Sequence, residues 1–306
     1  MANIIQKTTV TMEQVGRVDT VVQALTSRSR SQIRGLVDHG CVTINGAPCE
    51  SDFEPVVAGD EIVVSHNPHQ NYPEKPRARS DAAFRLIHED EDLLVVEKPA
   101  HMLTVPTPKH ETDTLVHHLQ RYVSLGRKKL GRVEIVHRLD RGVSGVLVFA
   151  KNARIAELLK EQFAAHKPER EYIALVAGTM ERDSGTFDKN LVTDDETIHR
   201  SVAEKPGQGE RAVTHYEVAK RLPGATLVRV RLETGRRNQI RVHFADAGHP
   251  VLGDPRYGGE KSQHRRWTAR RMALHAATLA FVHPTSGKRV RFEAPVPKEI
   301  HAFTRG

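Results

Sequence analysis

Apolar residues recur along the chain at two spacings, one typical of strands and one of helices. The continuous runs Leu93–Val96 and Val146–Ala150 have the length and composition of buried strands. Just after the second run, Asn152 is placed to cap a helix, and the apolar positions that follow it recur at helical spacing. These positions are Ile155, Leu158, Leu159 and Phe163, which we predict to be core residues.

After residue 113, the sequence pattern predicts more strands than helices. Strands are predicted over Arg170–Gly178, Thr226–Thr234, Leu274–Val282 and Arg289–Pro295, and helices over Thr114–Tyr122 and from Ile240 to Ala247. Because sheet segments are interleaved with only a few helices, the pattern predicts an α+β fold with a mostly antiparallel sheet. Between Thr226 and Thr234, apolar side chains alternate with Arg229 and Arg231, which indicates a basic outer face on that strand.

The N-terminal part predicts a separate small module. A helix from about Ser29 to His39 ends at Gly40, the dipeptide Asn45-Gly46 is typical of a tight hairpin, and Glu61–Val64 is a closing strand. Residues 67–82 contain three prolines and few apolar side chains, which is typical of a linker. We therefore predict a small domain over residues 1–66, a linker over 67–82 and a large domain over 83–306.

Composition and charge narrow the function. The net charge of +8, from 46 Lys and Arg against 38 Asp and Glu, favours a nucleic-acid partner. No 18-residue apolar run is present and residues 1–14 lack the apolar centre of a signal peptide, so we expect a cytoplasmic protein without membrane contact. Two cysteines and 18 scattered histidines have no metal-ligand spacing, and no Gly-rich phosphate loop occurs. We expect neither a metal nor a cofactor, and a monomer.

The most distinctive polar stretch is His137–Gly145, which places Asp140 between Arg138 and Arg141 just before a buried strand. A lone loop aspartate is usually a cap or a solvated charge. However, the sequence HRLDRGVSG closely resembles the signature of the RluA-type RNA pseudouridine synthases. The resemblance implies that Asp140 is the catalytic nucleophile.

Two further stretches resemble motifs of the same family, in the family's order. One is Arg170–Gly178, in which the resemblance places Tyr172 against the target base; the other is Gly235–His243, in which it makes Arg236 the ion-pair partner of Asp140. An arginine there would keep the carboxylate ionised. Arg138 resembles the family arginine that fills the stack vacated by a flipped nucleotide. The implied fold is that of a pseudouridine synthase, with a mixed, mostly antiparallel sheet and a central cleft.

Three positions depart from the family pattern. His101 stands where the family generally has Gly, so either the local backbone differs or His101 is strained. Val143 replaces a common Thr, which puts the rigidity of the loop in question. Asn238 replaces a usual His.

The N-terminal module resembles the S4 RNA-binding domain, from Gly16 through Asn45-Gly46. With the basic balance of the chain, this favours a phosphate-binding helix face over a solvated one. The arginines expected to contact RNA are, in the module, Arg28, Arg30 and Arg34 and, in the large domain, Arg138, Arg141, Arg237 and Arg241.

The favoured function is isomerisation of specific uridines in structured RNA, with large-subunit ribosomal RNA preferred over tRNA as substrate. A second hypothesis is a catalytically inactive RNA-binding protein or RNA chaperone that retains the fold. A third and weaker hypothesis is a glycosylase, which would release free uracil.

Overall fold

A computed structural model describes residues 3–49, 52, 54–72, 83–124, 131–194, 199–205 and 207–305. The chain divides into two compact units, Met1–Arg79 and Ser80–Gly306. Most of the predicted linker, residues 73–82, lies outside the described part, and the predicted domain boundaries stay predictions. Among the described residues, no helix is long and apolar enough to span a membrane.

The N-terminal unit contains two α-helices and six short strands in its described part. Its elements are β1 (Ile4–Thr9), β2 (Gly16–Arg17), α1 (Val18–Thr26), α2 (Arg30–Asp38), β3 (Val42–Ile44), β4 (Ala47–Pro48), β5 (Pro55–Val56) and β6 (Glu61–His66). Four strands form an antiparallel sheet in the order β1-β6-β3-β4, and β2 pairs with β5.

Local sequence explains the ends of α2 and the following hairpin. Ser29 caps the helix, and its hydroxyl accepts a hydrogen bond from the backbone N–H of Gln32. Gly40 follows the helix with φ +70°, and Asn45 and Gly46 both have positive φ between β3 and β4. The predicted helix and hairpin are therefore present.

The large unit begins with β7 and ends with a helix. Its elements are β7 (Arg85–Glu89), β8 (Leu93–Lys98), α3 (Leu115–Ser124), β9 (Glu134–Ile135), β10 (Ser144–Ala150), α4 (Ala153–Ala164), β11 (Glu169–Ala177), β12 (Ser184–Thr193), β13 (Arg200–Val202), β14 (Glu210–Leu222), β15 (Ala225–Leu232), α5 (Gln239–Asp246), β16 (Leu274–Val282), β17 (Arg289–Glu293) and α6 (Lys298–Arg305).

One sheet organises the described part of this unit. Nine strands run in the order β13-β12-β14-β15-β11-β16-β10-β8-β7, while β17 pairs with β16 and β9 with β10. The pairing of β10 with β16 is parallel and the other pairings are antiparallel. The predicted α+β class with a mixed, mostly antiparallel sheet is confirmed.

Helices pack on both faces of this sheet, and β8 and β10 are therefore buried on both sides. Leu94 and Val96 belong to the core cluster that contains α3, whereas Leu93 and Val95 pack in a second cluster with α4. This explains why both strands read as continuous apolar runs. Asn152 caps α4 as predicted, and its side-chain oxygen accepts the N–H of Ile155 at 3.0 Å.

The start of β10 requires a glycine. Gly145 has φ +125° and lies opposite Ala276 of β16, where an added Cβ atom would lie 2.1 Å from the Ala276 carbonyl oxygen. Only glycine permits both this backbone conformation and this approach. The turn that carries Asp140 is thereby joined closely to the centre of the sheet.

Candidate active site

Asp140 lies in a cleft of about 690 Å³ formed by three parts of the large unit. They are the turn before β10, the strand β11 with the end of α4, and the loop between β15 and α5. Of the residues singled out from the sequence, the cleft is lined by Arg138, Asp140, Tyr172, Arg236, Arg237, Asn238 and Arg241. The three stretches that resemble motifs of the family therefore all contribute residues to this one cleft.

Backbone and side-chain hydrogen bonds fix the turn that presents Asp140. The N–H of Val143 donates to the Asp140 carbonyl oxygen at 3.1 Å. On the other side, the Thr104 hydroxyl donates to the Leu139 carbonyl at 2.7 Å and accepts the Leu139 N–H at 3.1 Å. The Asp140 side chain is 23% exposed, so it remains accessible from the cleft.

Arg241 is the arginine that pairs with Asp140. Its Nη1 donates to Asp140 Oδ2 at 3.0 Å, while its Nε and Nη2 donate to the two oxygens of Asp254 at 2.7 and 2.9 Å. Asp254 is fully buried and also accepts the backbone N–H groups of Arg256 and Tyr257. Arg241 is thus locked by a bidentate pair and aims its remaining Nη group at Asp140.

The prediction that Arg236 pairs with Asp140 is wrong. Arg236 instead donates from Nη1 to Glu210 Oε1 at 2.7 Å, and its side chain is 37% exposed. The reason is its position before α5, whereas Arg241 lies inside the helix and is buried against Asp140 and Asp254. Arg241, which was expected to contact RNA, is 7% exposed and lines the same cleft, and its contact with RNA stays a prediction.

Asn238 supports the same arginine, although it departs from the family pattern. It occupies the left-handed region at φ +58°, which asparagine tolerates better than most residues. Its Oδ1 accepts from Arg241 Nη1 at 2.9 Å, and its Nδ2 donates to the Tyr257 hydroxyl at 2.9 Å. The Tyr257 ring lies under the guanidinium of Arg241, 4.8 Å from its central carbon.

Tyr172 lies on β11 between β15 and β16 and is largely buried. Burial raises the pKa of its phenol; the charge of Arg170 acts in the opposite direction, and that of Asp140 adds to the increase. The phenol is accordingly neutral, and the ring forms part of the cleft wall near Asp140.

The other predicted RNA-contacting arginines are dispersed. Arg138 and Arg237 are exposed at the cleft, whereas Arg141 donates from Nε to the His101 carbonyl at 3.0 Å and lines a different depression. In the N-terminal unit, Arg28 contacts the His66 ring and Arg34 lies 3.5 Å from the buried Asp52 carboxylate. The side chain of Arg30 lies outside the described part.

Lys98, a buried lysine whose charge interacts with that of Asp140, was not singled out from the sequence. It is fully buried at the end of β8, and its ammonium donates to the carbonyl oxygens of Pro99, Met102 and Arg141 at 2.9, 2.8 and 3.4 Å. Burial lowers the pKa of Lys98 to about 7, against the opposing effect of the Asp140 charge. The available signal was a lysine two positions after the apolar run Leu93–Val96, at the end of the same strand.

Three hydrogen-bonded side chains, Arg271, Ser144 and His275, support the end of the turn, where β10 begins. Arg271 Nη2 donates to the Ser144 hydroxyl at 2.5 Å, and that hydroxyl lies 2.8 Å from His275 Nδ1. Burial lowers the pKa of His275 to about 4, so the ring is neutral and Nδ1 can accept the Ser144 proton. Val143 is also buried, which gives the departure from Thr a packing role.

His101, the remaining departure from the family pattern, has φ +71°. Of the two possibilities left open by the sequence, the backbone therefore keeps the glycine-like conformation and a non-glycine residue is strained there.

A larger depression of about 880 Å³ lies against β11, β14 and β15. Glu171, Glu217, Arg229 and Arg231 line it, and Asp140 does not. The smaller cleft is therefore the better candidate for chemistry.

Known proteins resemble this chain over nearly its whole length. The family model for RNA pseudouridylate synthase matches residues 92–246, and the S4 domain model matches residues 16–62. Ribosomal large subunit pseudouridine synthase D of Zymomonas mobilis is 36% identical over 96% of this chain and 95% of that relative. The uncharacterized RNA pseudouridine synthase YlyB of Bacillus subtilis is 37% identical over 89% of this chain and 87% of that relative.

Solved structures agree with these matches. Human RNA pseudouridylate synthase domain containing 4 superposes with a TM-score of 0.60 at 22% identity, covering 72% of this chain and 91% of that one. Human RNA pseudouridylate synthase domain containing 1 gives a TM-score of 0.56 at 26% identity, over 69% and 83% of the two chains. The predicted fold and the S4 domain are confirmed.

Proposed function

Because the chain belongs to the RNA pseudouridylate synthase family, we propose that it isomerises specific uridines of structured RNA, with Asp140 as the nucleophile. The observation that carries this role is the pairing of Asp140 with Arg241, which Asp254 holds in place. An accessible carboxylate held in a fixed direction by a buried cation is suited to attack at a sugar carbon.

The proposed reaction needs no cofactor. The Asp140 carboxylate bonds to C1′ as the C1′–N1 bond breaks, and the uracil leaves with the bonding electrons. After the uracil turns, its C5 bonds to C1′ and the carboxylate leaves. The C5 proton is then lost and N1 gains one, so that uridine and pseudouridine differ only in the atom joined to the sugar.

The target nucleotide must leave its stack before Asp140 can reach it, at a cost of roughly a few kcal/mol. Tyr172 offers its ring to the extruded uracil, and the exposed Arg138 lies at the same cleft, where it can occupy the vacated position in the stack. Arg237, also exposed there, adds positive charge for the backbone.

Large-subunit ribosomal RNA is the favoured substrate, and tRNA is the alternative. The support is the name of the Zymomonas mobilis relative together with the S4 domain. Such a substrate would be met in the cytoplasm. The cytoplasmic location and the monomeric state stay predictions.

The test is to map pseudouridines in RNA from cells that lack the protein and from cells that carry Asp140→Asn. Asp183→Asn is a matched control, since this side chain is 86% exposed and lies outside the cleft that contains Asp140. We expect the same ribosomal sites to be missing in the deletion and in Asp140→Asn, and present in the control.

Purified protein separates the alternatives. An active synthase releases tritium from uridine labelled at C5 and leaves the RNA chain intact, whereas a glycosylase releases free uracil. Binding to RNA without either product would identify an inactive RNA-binding protein. If the ribosomal sites persist in both strains without a redundant enzyme, the proposed function is refuted.

A further inference from the structure

Three arginines are buried in the described part of the large unit, and they differ in their partners. Arg200 pairs with Glu210, and Arg241 pairs with Asp140 and Asp254. Arg170, which is 7% exposed, forms no ion pair with any described residue. A buried charge normally has a counterion because removing it from water is costly.

The contacts of Arg170 leave most of its hydrogen-bonding capacity unused. Nη2 donates to the Glu233 carbonyl at 2.9 Å, while the buried Nε has no acceptor among the described residues. The guanidinium also lies 5.6 Å from the centre of the Phe163 ring. A carbonyl and a ring supply partial negative charge only, so the full positive charge is not neutralised.

Arg170 belongs to the cleft that contains Asp140. It lies two residues before Tyr172 on β11, hence on the same face of the strand, and both side chains line the cleft. Gly235 leaves space beside it, because a Cβ atom there would lie 2.4 Å from Arg170 Nη1. The loop before α5 therefore comes close to the guanidinium without covering it with a side chain at this position.

We infer that Arg170 binds a phosphate of the RNA backbone next to the uridine that enters the cleft. This inference rests on the proposed function, since it names the substrate group that completes the site. A phosphodiester supplies the missing negative charge together with oxygen acceptors for the fork of the guanidinium. A uracil carbonyl would supply an acceptor but leave the charge unneutralised.

The unpaired charge of Arg170 should have opposite effects on two quantities: it lowers the stability of the RNA-free protein and strengthens the binding of RNA. A group that is destabilising until its ligand arrives is typical of binding sites. Replacement by an apolar side chain of similar length should therefore weaken RNA binding without destabilising the RNA-free protein. A purely structural arginine would show the reverse.

The first experiment compares Arg170→Met, Arg170→Lys and the wild-type chain in binding to a hairpin RNA with an all-uridine loop across a KCl series. Arg154→Met is the control, because Arg154 is exposed on α4 and outside the cleft. For Arg170→Met we expect about 10- to 100-fold weaker binding and a salt slope smaller by about 0.7–0.9. Arg170→Lys should keep the slope with weaker binding, and Arg154→Met should leave binding unchanged.

The second experiment replaces each loop phosphate in turn by a neutral methylphosphonate. In the wild-type protein one position should weaken binding markedly, and in Arg170→Met that same position should have no further effect. If no position loses its effect in Arg170→Met, the phosphate contact is refuted. If Arg170→Met lowers the Tm of the RNA-free protein strongly while the salt slope is kept, Arg170 is structural and the inference is likewise refuted.

Binding is measured without catalysis, so the two proposals fail separately. An absence of pseudouridine formation by the wild-type protein would refute the proposed function, whereas an unchanged salt slope in Arg170→Met would refute only the phosphate contact.

Discussion

Replacing Arg241 by lysine should impair catalysis far more than the same replacement at Arg236. Arg241 donates to two carboxylates and to Asn238 from a planar fork. A lysine ammonium on a flexible stem cannot keep the bidentate bond to Asp254 and reach Asp140 as well. We therefore expect Asp140 to lose its charge-assisted hydrogen bond.

The magnitude follows from that bond. A hydrogen bond to a charged group contributes about 1.5–3 kcal/mol. If the loss falls on the transition state, kcat/KM decreases by roughly 10- to 150-fold. Arg241→Met should in addition destabilise the fold by about 3–5 kcal/mol, because the buried Asp254 is left without its cation. Arg241→Lys keeps a charge beside Asp254 and should stay folded.

The assay is tritium release from C5-labelled uridine in RNA under single-turnover conditions, with Tm recorded for each variant. Arg236→Lys is the control, since Arg236 and Glu210 are 37% and 51% exposed and such pairs contribute about 0.2–1 kcal/mol. Wild-type rates in Arg241→Lys, or an equal loss in Arg236→Lys, would refute the assignment of Arg241.

Three further predictions concern the turn and its supports. His101→Gly should raise stability by up to about 1 kcal/mol, since relief of the left-handed backbone slightly exceeds the added chain entropy, and His101→Ala should give no gain in urea unfolding. Gly145→Ala should lower stability by about 3 kcal/mol in the same assay, because its methyl group would overlap the Ala276 carbonyl; an unchanged midpoint would contradict the close approach of β10 and β16. The folded-state pKa of Lys98 is about 7, below its ordinary 10.5, so the unfolded chain binds more protons between these values and the free energy of unfolding gains a term that rises with pH. In Lys98→Met that rise should be missing, and an identical pH dependence in both proteins would show that Lys98 does not titrate in this range.

The sequence determined the features that depend on neighbouring residues. Gly40 at the end of α2, the cap at Asn152, the turn at Asn45-Gly46 and the apolar runs of β8 and β10 are all local patterns, and each is present where predicted. The turn that carries Asp140 was found in the same way, because its motif is continuous in the sequence.

Only the tertiary structure decided which charges meet. Asp140 and Arg241 are 101 positions apart, and Arg236 and Arg241 stand in the same motif, so sequence spacing could not choose between them. The choice depends on which side chain α5 directs into the core and on the presence of Asp254 there to hold it. Burial likewise separates Lys98 and Arg170 from the many exposed lysines and arginines of the chain. The properties of these two side chains depend on their removal from water and on the groups that the sheet brings next to them. A local sequence pattern contains neither kind of information.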